Sequence, residues 1–488
     1  MMLTELLQTS TLPFDVGVRG IADDSRVVEP GDLFCALSGD QFDGRGFVAD
    51  AVVRGAVAVA CEPPLVEADV PVVEVADLRA RLGELASRVY GDPSHDIAVV
   101  AVTGTNGKTS FTHLLAQALI FAGLPSGIIG TMGYGVPGAI RDPGLTTPGA
   151  VDLQTRIKRL VDDDCLAIVL EASSHGLDQD RLNGVAVDTA VLTNLTHDHL
   201  DYHATLADYR AAKQRLFELD SVCNAVLNLD DEFGRDLTSQ LRNGISLTTY
   251  SCSDPTATVY CQSVEFTPAG LNLTLVIDHR SLDIQLPLLG GFNIENALAV
   301  AAAMRVMGYG SDHIQKAMSQ LQPVKGRMEI IAKAGKPCVI VDYAHTPDAL
   351  QKALEAVRQH FPERSICCVF GCGGDRDKSK RALMGEIAES LAAKVILTSD
   401  NPRSEDPDQI LAEIARVVPT RMLKIVDRRE AILHAIRSAD STDVILVAGK
   451  GHEEYQVLRD GRVPFSDYQV ISDGLEAWSA TDGAGEDD

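Results

Sequence analysis

Short apolar segments alternate with runs of helical spacing along the middle of the chain. A fully apolar stretch of strand length lies at 97–102, and further apolar strand candidates lie at 167–170, 190–195 and 225–229. Strands covered on both faces read as continuous apolar runs, and parallel sheets alternate such strands with helices. The pattern therefore predicts a mostly parallel α/β sheet. At 246–288 apolar and polar residues alternate more, which favours antiparallel strands, and a helix is expected from about Asn293.

The same rhythm returns in the last third of the chain. Apolar strands are predicted at 339–342, 366–370, 395–398 and 444–447. The helices between them are expected to start near Pro347, Lys378 and Pro407. This pattern indicates a second doubly wound sheet. The small, acidic residues at 479–488 predict a disordered tail.

The beginning of the chain looks different from these two regions. It carries shorter strand-like pieces and one helical pattern, at 78–90, followed by the linker-like Gly91-Asp92-Pro93-Ser94. A single hydrophobic core rarely exceeds about 250–300 residues, so a chain of 488 residues needs more than one. The predicted fold class is α/β with three domains, at 1–94, 95–327 and 328–488.

Composition and charge exclude several classes of partner. The formal net charge of −26 removes any general attraction for nucleic acid or anionic lipid. The ten cysteines contain no CxxC pair, and no apolar run approaches the roughly 18 residues of a membrane span. The first residues also lack the basic and apolar parts of a signal peptide. We expect a cytoplasmic protein with no nucleic-acid or membrane partner.

A glycine-rich sequence between a predicted strand and a predicted helix is the first candidate site. Thr-Gly-Thr-Asn-Gly-Lys-Thr (103–109) places backbone N–H groups and a helix start where phosphates bind. Lys108 would neutralise the β- and γ-phosphates, and the Thr109 hydroxyl would ligate Mg²⁺. Only two residues separate Gly104 from Gly107, fewer than in the general Walker pattern, so the loop is a variant. The alternative is an ordinary glycine-rich turn.

Acidic and histidine residues follow two of the predicted strands. Glu171 ends an apolar strand, where a carboxylate can meet ligand or metal because strand ends line the crevice of such sheets. Three histidines and two aspartates crowd into 196–203, a concentration that can serve a metal centre. Each of these residues alone is compatible with a structural role. Lys213 lies in a helical pattern and by composition alone is a surface lysine.

Taken together, the motifs resemble the Mur ligase family, which also includes folylpolyglutamate synthetase. Eight of them occur in the family's order across the chain, at 103–109, 171–177, 198–203, 209–213, 228–231, 290–296, 326–329 and 342–347. Three more, at 370–377, 400–403 and 448–453, are similar to the family members that add diaminopimelate. The resemblance implies an N-terminal domain for a uridine nucleotide, a central P-loop ATPase and a C-terminal Rossmann-like domain for an amino acid.

The resemblance also implies roles for individual residues. The ATP-binding positions would be Gly104, Thr105, Asn106, Gly107, Lys108, Thr109, Ser110, Asn293, Arg327 and Asp342. The positions holding the UDP-N-acetylmuramoyl dipeptide would be Ser25, Gln41, Thr146, Thr147, Ser173, Gln179 and Arg181. The diaminopimelate positions would be Arg376, Asp400, Asn401, Pro402, Arg403, Gly449 and Glu453. The catalytic residues would be Lys108, Glu171, His199 and Lys213, with Mg²⁺ held by Thr109, Glu171, His199 and a carbamylated Lys213.

The chemistry implied is amide formation driven by ATP. The γ-carboxylate of UDP-N-acetylmuramoyl-L-alanyl-D-glutamate would become an acyl phosphate, which the amine of meso-diaminopimelate then attacks, giving a tripeptide precursor of peptidoglycan. Such a transfer needs positioning and charge neutralisation more than covalent help from protein. The competing interpretations are a P-loop kinase or NTPase, folylpolyglutamate synthetase, a lysine-adding relative and a non-enzymatic ATP-binding protein. The base that deprotonates the amine is unassigned.

Overall fold

The computed structural model describes residues 1–9, 12, 14–39, 43–141, 144–196, 198, 202–416 and 422–479. The chain forms two compact units. The first comprises Met1–Gln262, Leu275–Leu282 and Glu295–Gln320; the second comprises Ser263–Thr274, Asp283–Ile294 and Leu321–Asp488. The acidic tail at 480–488, predicted to be disordered, lies outside the described residues. The proposed domain limits at 94 and 327 stay a prediction.

A small parallel sheet opens the first unit. Its strands are β1 (Gly20–Ala22), β2 (Asp32–Ala36), β3 (Ala58–Cys61) and β4 (Val72–Glu74), in the order β1-β2-β3-β4. Its helices are α1 (Leu3–Leu7), α2 (Val48–Arg54) and α3 (Leu78–Val89). Every residue of β2 and β3 is buried, because helices cover both faces of this sheet. The predicted helix at 78–90 is therefore confirmed as α3.

A larger sheet forms the centre of the first unit. Its first eight strands are β5 (Ala98–Thr103), β6 (Ser126–Gly130), β7 (Gly133–Val136), β8 (Ala139–Arg141), β9 (Ala167–Glu171), β10 (Thr189–Leu192), β11 (Asn224–Asn228) and β12 (Ser246–Ser251). The order β12-β11-β10-β5-β9-β6 is parallel throughout, and β7 and β8 add an antiparallel edge. The surrounding helices are α4 (Lys108–Phe121), α5 (Ala150–Asp162), α6 (Ser174–Asp178), α7 (Leu206–Glu218), α8 (Glu232–Thr238), α9 (Phe292–Val306) and α10 (Ser311–Met318). The predicted parallel core is confirmed.

One prediction about strand direction is wrong. The alternating pattern at 246–288 predicts antiparallel strands, yet β12 pairs in parallel with β11 and with the start of β13 (Val259–Thr267). β12 is only partly covered, with Ser246 and Leu247 exposed, so its sequence alternates like a half-exposed antiparallel strand. β14 (Gly270–Ile277) and β15 (Arg280–Leu286) follow through two-residue connections, which only antiparallel neighbours allow.

The second unit contains a doubly wound sheet. Its strands are β16 (Glu329–Ile331), β17 (Cys338–Asp342), β18 (Ile366–Phe370), β19 (Lys394–Leu397), β20 (Met422–Lys424) and β21 (Val444–Ala448). The order is β16-β17-β21-β18-β19-β20, parallel except for β16. Its helices are α11 (Pro347–His360), α12 (Ser379–Leu391), α13 (Pro407–Ile414), α14 (Arg428–Arg437) and α15 (Asp467–Ala477), and a hairpin of β22 (Tyr455–Leu458) and β23 (Gly461–Pro464) precedes α15.

Separate apolar cores lie on the two faces of this sheet, one against α11, α12 and α13 and the other against α14 and α15. The predicted helix starts at Pro347 and Pro407 are confirmed, and the helix predicted near Lys378 begins one residue later. Within the described ranges, no helix is both long and apolar enough to cross a membrane. The α/β fold class with a central phosphate-loop sheet and a Rossmann-like C-terminal sheet is confirmed.

Candidate active site

A tight glycine-rich loop joins β5 to α4. Gly104 has φ +150° and Gly107 has φ +87°, backbone conformations that other residues rarely adopt. A β-carbon at Gly104 would lie 1.8 Å from Thr193 Oγ1, so the loop packs directly on the residues after β10. The path of this loop therefore depends on both glycines.

Hydrogen bonds to the segment after β10 hold the loop rigid. The backbone N–H of Thr105 donates to Asn194 O at 2.8 Å, and Thr196 N–H donates to Thr105 Oγ1 at 2.9 Å. Because Gly107 is the N-cap of α4, no side chain covers the first N–H groups of that helix. A fixed loop with such a helix start is suited to phosphate oxygens. Loop and first turn contain the predicted positions Gly104, Thr105, Asn106, Gly107, Lys108, Thr109 and Ser110.

Two lysines converge on this loop. Lys108 Nζ donates to the carbonyl oxygens of Gly104 at 2.8 Å and Thr105 at 2.9 Å. Lys213, from α7, donates to the same Gly104 carbonyl at 2.8 Å. The sequence alone suggests that Lys213 is a surface residue, but its side chain is buried and packs over the ring of Tyr209. The family resemblance therefore placed Lys213 in the site, whereas composition alone did not.

The surroundings of Lys213 disfavour its charged form. Burial lowers the pKa of Lys213 well below its usual 10.5, and the nearby charge of Lys108 lowers the pKa further. The carboxylate of Asp198 acts in the opposite direction with a smaller effect. An amine in these surroundings is neutral over much of the range in which an ordinary lysine is charged.

Glu171 ends β9, directly beside the strand that leads into the loop. Its carboxylate is buried and accepts hydrogen bonds from Thr131 N–H at 3.1 Å and Thr131 Oγ1 at 3.0 Å. Thr131 Oγ1 in turn lies 3.0 Å from Thr146 Oγ1. Each carboxylate oxygen keeps a further lone pair, so Glu171 can still accept a cation or a donor.

The residues predicted for the dipeptide extend this polar network. Thr147 Oγ1 donates to the backbone oxygen of Glu171 at 2.8 Å and contacts Ser173 Oγ at 2.9 Å. Arg181 donates to Thr147 O at 2.6 Å and holds Gln179 Oε1 with the same guanidinium. The structure thus brings Thr146, Thr147, Ser173, Gln179 and Arg181 together at the carboxyl end of β9.

Part of the predicted metal set can be placed. Thr109 is buried in the first turn of α4, and Glu171 and Lys213 lie as described, whereas His199 lies outside the described residues. A threonine hydroxyl, a carboxylate and a lysine carbamate would all offer hard oxygen atoms, which suit Mg²⁺. In the described parts of the chain, no three His, Cys, Asp or Glu residues form a metal-binding group. The hydroxyl of Thr109 and the carboxylate of Glu171 therefore fit Mg²⁺, and a carbamylated Lys213 would add a further oxygen.

The two remaining positions predicted for the uridine substrate lie in the N-terminal sheet region. Ser25 begins a short 3-10 turn after β1 and is buried. Desolvation by the surrounding protein raises the pKa of the carboxyl group of Asp23, two residues before Ser25. Gln41 lies outside the described residues.

Three residues predicted to hold the nucleotide belong to the second unit. Asp342 ends β17, and its carboxylate accepts hydrogen bonds from Met328 N–H and Ala344 N–H, each at 2.8 Å. Arg327 stacks over the ring of Tyr343 at 4.7 Å, and its buried Nε has no hydrogen-bond partner in the described structure. Asn293 Nδ2 donates to Leu289 O at 2.8 Å. The hydrogen bond from Met328, which follows Arg327 in sequence, thus holds Arg327 close to Asp342.

The loops after β18 and β19 meet around Arg403. This residue has φ +53° and is held by a backbone hydrogen bond from its N–H to Val457 O at 3.0 Å. Its guanidinium donates to the carbonyl oxygen of Gly374 at 2.8 Å. A strained residue at a strand end is common where a side chain must point in one direction. Arg376, in the loop after β18, has an exposed side chain.

Arg403 could instead have had a purely structural role, in an ion pair with Glu405 or Asp406. The structure does not contain that ion pair. Glu405 forms a two-pronged ion pair with the buried Arg381 and a further one with Lys378 at 3.0 Å. Asp406 caps the start of α13. Among the described residues, no carboxylate forms an ion pair with Arg403.

Behind Arg403 lies a buried polar cluster. Asn401 Nδ2 donates to Glu453 Oε2 at 3.0 Å, and Lys450 donates to the side chains of both residues. Asp400 is buried beside them, 3.3 Å from where a β-carbon would stand on Gly449. Pro402 is buried and lines a cavity of about 1440 Å³. The structure therefore brings together Asp400, Asn401, Pro402, Arg403, Gly449 and Glu453.

Three family models match successive parts of the chain. They are a Mur ligase family catalytic domain at 17–90, a Mur ligase middle domain at 102–304 and a Mur ligase glutamate ligase domain at 326–451. A UDP-N-acetylmuramoyl-L-alanyl-D-glutamate--2,6-diaminopimelate ligase from Ectopseudomonas mendocina is 46% identical over 469 residues, covering 95% of this chain and 96% of that protein. The chain belongs to the Mur ligase family.

Further relatives agree with this membership. A ligase of the same name from Pseudomonas aeruginosa is 45% identical over 470 residues, covering 95% of this chain and 96% of that protein. A solved structure named for the same activity superposes with a TM-score of 0.73 at 36% identity, covering 98% of this chain and 99% of that one. A MurF structure from Acinetobacter baumannii shares the fold, with a TM-score of 0.66 at 20% identity over 97% of this chain and 98% of that one. As a Mur ligase, the chain is an ATP-dependent amide ligase.

Two buried cations of this Mur ligase were not singled out from its sequence. Lys450 lies within a recognised motif, but a lysine between two glycines looks like a solvent-exposed loop residue. Arg381 lies in α12 and is 0% exposed, braced by Glu405, Glu413 and the carbonyl of Gly373. Most partners of the two residues are distant in sequence and come near only through the order of the strands. No short sequence pattern could therefore have identified the two residues.

Proposed function

We propose that this Mur ligase joins meso-diaminopimelate to the D-glutamyl γ-carboxylate of UDP-N-acetylmuramoyl-L-alanyl-D-glutamate. The observation that carries the choice of amino acid is the Arg403 guanidinium, which forms no ion pair among the described residues and contacts the backbone of Asn401, next to buried Asp400. Diaminopimelate bears both a carboxylate and an ammonium at its far end, whereas L-lysine bears only the ammonium. The printed names of the relatives support the same assignment.

The proposal assigns different parts of ATP to different residues of the chain. The loop from Gly104 to Ser110 and the start of α4 bind the phosphates, and Asn293, Arg327 and Asp342 bind the nucleoside. Lys108, now folded onto the loop carbonyls, turns towards the transferring phosphoryl group and offsets its charge. The unsatisfied Nε of Arg327 is a donor ready for a nucleotide oxygen.

The reaction proceeds in two transfers. A γ-carboxylate oxygen of the substrate attacks the γ-phosphorus of ATP, and the bond to the bridging oxygen breaks, so that ADP leaves. The diaminopimelate nitrogen then attacks the acyl carbon, and phosphate leaves with the electron pair of the broken carbon–oxygen bond. The proton lost by the nitrogen goes to a base that we leave unassigned. The chain contributes alignment and positive charge to both steps.

Mg²⁺ would neutralise phosphate charge when bound, and Thr109, Glu171, His199 and a carbamylated Lys213 would hold it. The neutral amine of buried Lys213 attacks CO₂ and loses a proton, which yields a carbamate anion. The surroundings support this step, because burial and Lys108 already disfavour the ammonium. The carbamate would bring an oxygen ligand where the amine has only a carbonyl partner.

The UDP-sugar dipeptide is proposed to lie along the carboxyl ends of β6 and β9. Thr146, Thr147, Ser173, Gln179 and Arg181 form one connected polar surface there, and Arg181 can meet a carboxylate of the dipeptide. The uridine end is proposed to contact Ser25 and the loop containing Gln41. The cytoplasmic location stays a prediction.

Product analysis tests the proposal. Purified enzyme receives ATP and Mg²⁺ with the UDP-dipeptide and, separately, meso-diaminopimelate, L-lysine or no amino acid. We expect ADP, phosphate and the tripeptide in equal amounts, and only when diaminopimelate is present. ADP release without either co-substrate would instead favour an NTPase. Equal use of L-lysine would overturn the choice of amino acid.

A further inference from the structure

A lysine lies beneath the amino-acid site rather than in it. Lys450 is the second residue after β21, and its side chain is 0% exposed. Its Nζ donates to Asn401 Oδ1 at 3.0 Å and to Glu453 Oε2 at 2.9 Å, and lies 3.8 Å from Asp400 Oδ1. All three partners belong to the proposed diaminopimelate site. A buried ammonium in this position cannot touch a ligand, but it can decide how its three partners face one.

Lys450 fixes the orientation of the Asn401 amide. Asn401 Oδ1 accepts from Lys450 Nζ and from the backbone N–H of Val457, the latter at 2.9 Å. An amide oxygen has two lone pairs, so this oxygen is fully used. Asn401 Nδ2 spends one hydrogen on Glu453 and has one left. Asn401 can therefore offer a ligand a donor but no acceptor, which suits a carboxylate beside Arg403.

Lys450 also keeps the neighbouring Glu453 carboxylate in the charged form that accepts hydrogen bonds. Burial by itself would raise the pKa of Glu453, yet the hydrogen bond and charge of Lys450 lower the pKa below its ordinary value. Within the described residues, Glu453 Oε1 has no hydrogen-bond partner, and Asp400 Oδ1 is buried without one. Both carboxylates thus keep unused acceptor capacity that an ammonium group can address. Without a cation between them, neighbouring buried carboxylates repel each other and one takes up a proton.

We propose that Lys450 is a positioning residue that fixes the polarity of the amino-acid site. It holds Asn401 as a donor beside Arg403 for the distal carboxylate of the ligand, and it holds Asp400 and Glu453 as acceptors for the distal ammonium. The proposal rests on the proposed function, because only an amino acid with both groups at its far end uses both halves. Lys450 acts through its partners and does not contact the reacting atoms.

Steady-state kinetics of Lys450→Met test this role. The substitution keeps the length of the side chain and removes its charge and its donors. We expect the KM for diaminopimelate to rise roughly 30- to 100-fold, because one partner of a buried ionic cluster is lost. The KM values for ATP and the UDP-dipeptide, and kcat, should stay within about 3-fold, since Lys450 touches neither. Lys352→Met, at an exposed ion pair on α11, is the matched control and should change none of these values.

The pH profile separates positioning from a general structural role. Charged and titratable groups facing Glu453 are Lys450 and His452 on its own loop, Asp400, Tyr343 and Arg428. Arg428 is engaged by buried Asp467, and burial lowers the pKa of His452 to about 4. In the variant the lowering by Lys450 is lost while burial still acts on Glu453, so the pKa of Glu453 rises. The KM for diaminopimelate of Lys450→Met should therefore fall as pH increases, whereas that of the wild type stays flat over the same range.

The outcomes are distinguishable. If the wild type does not use diaminopimelate, both the proposed function and this role are wrong. If the wild type uses it and Lys450→Met keeps its KM and pH profile, only the role of Lys450 is wrong. Should Lys450→Met fail to fold, Lys450→Gln retains one donor without the charge. A rise in the KM for diaminopimelate alone supports the proposal for that variant, and an equal rise for all three substrates overturns it.

Discussion

This protein has a buried lysine in α7 of the first unit and another after β21 of the second unit, and their surroundings are opposite. Lys213 has a backbone carbonyl as hydrogen-bond partner and Lys108 as a neighbouring charge. Lys450 lies among Asp400, Asn401 and Glu453. Burial costs both ammonium groups their water, but among the described residues only Lys450 of the two forms an ion pair that offsets this cost. The same residue type is thus set up as a neutral amine in one unit and as a fixed cation in the other.

The difference teaches how burial and partners together decide what a lysine can do. A neutral amine is a nucleophile that can take up CO₂, while a paired ammonium is chemically inert and orients its neighbours. Exposure alone does not separate the two, since both side chains are at most 1% exposed. The charges within hydrogen-bonding distance make the distinction.

The largest expected effect on activity comes from removing Lys108, the charge that neighbours Lys213 in the phosphate loop. Lys108→Ala removes the cation that meets the transferring phosphoryl group. A single such cation contributes about 10³–10⁵ in rate, so kcat/KM for amide formation should fall by at least about 10³. Coupled measurement of ADP release with and without the UDP-dipeptide checks this.

Lys158→Ala, at an exposed ion pair on α5, is the control for that experiment and should keep full activity. The far-UV circular dichroism of both variants should match the wild type. Near-normal turnover by folded Lys108→Ala would contradict the phosphate-loop assignment.

The next largest effect lies on the amino-acid side. Arg403→Ala removes the guanidinium proposed to bind the distal carboxylate. Losing one partner of a buried ionic contact costs about 3–5 kcal/mol, or roughly two to three decades in kcat/KM for diaminopimelate. Use of L-lysine, which lacks that carboxylate, should change little. Competition between the two amino acids in one assay measures the ratio directly.

Arg459→Ala is a suitable control, because Arg459 is also near this loop, donating to Ser404 O at 3.2 Å, but is exposed. It should retain the preference of the wild type. If Arg403→Ala kept full discrimination against L-lysine, the distal carboxylate would have to be recognised elsewhere.

A smaller, pH-dependent effect tests the neutral amine. Because the folded pKa of Lys213 is lowered from 10.5, the native state holds fewer protons than the unfolded chain between that lowered pKa and 10.5. The contribution of this group to stability is therefore fully present above 10.5 and is lost as pH falls through the lowered pKa, with a slope of at most about 1.4 kcal/mol per pH unit. Urea unfolding of the wild type in CO₂-free buffer should show this slope relative to Lys213→Met.

Bicarbonate extends the same experiment. A carbamate forms on the native state and not on the unfolded chain, so added bicarbonate should stabilise the wild type by mass action. Lys213→Met, which has no amine, should not respond. The reverse result, or parallel pH curves for the two proteins, would mean that Lys213 remains an ordinary ammonium.

The sequence predicted the strands and the glycine-rich loop near these lysines but not the surroundings of either lysine, and only the family resemblance assigned Lys213 a role. Largely apolar strands such as β5, β9 and β21 can be recognised in the sequence because helices cover both faces of the sheet. The loop at Gly104 can be predicted from sequence because its positive φ angle favours glycine. Lys450, by contrast, depends on Asn401, which lies 49 residues away in sequence and near it only through the strand order. The direction of β12 was likewise hidden, since partial exposure gives it an alternating pattern.

The smallest effect should come from an ion pair without burial. Lys325 and Glu454 are 2.7 Å apart, with side chains 48% and 69% exposed. Water screens such a pair, and fixing two long side chains costs entropy, so Lys325→Ala should change the free energy of unfolding by less than about 1 kcal/mol. Urea unfolding beside Lys450→Met measures the contrast, since the buried lysine leaves carboxylates unpaired and should cost about 3–5 kcal/mol. Equal losses in the two variants would mean that burial does not determine how much a paired lysine contributes to the stability of this protein.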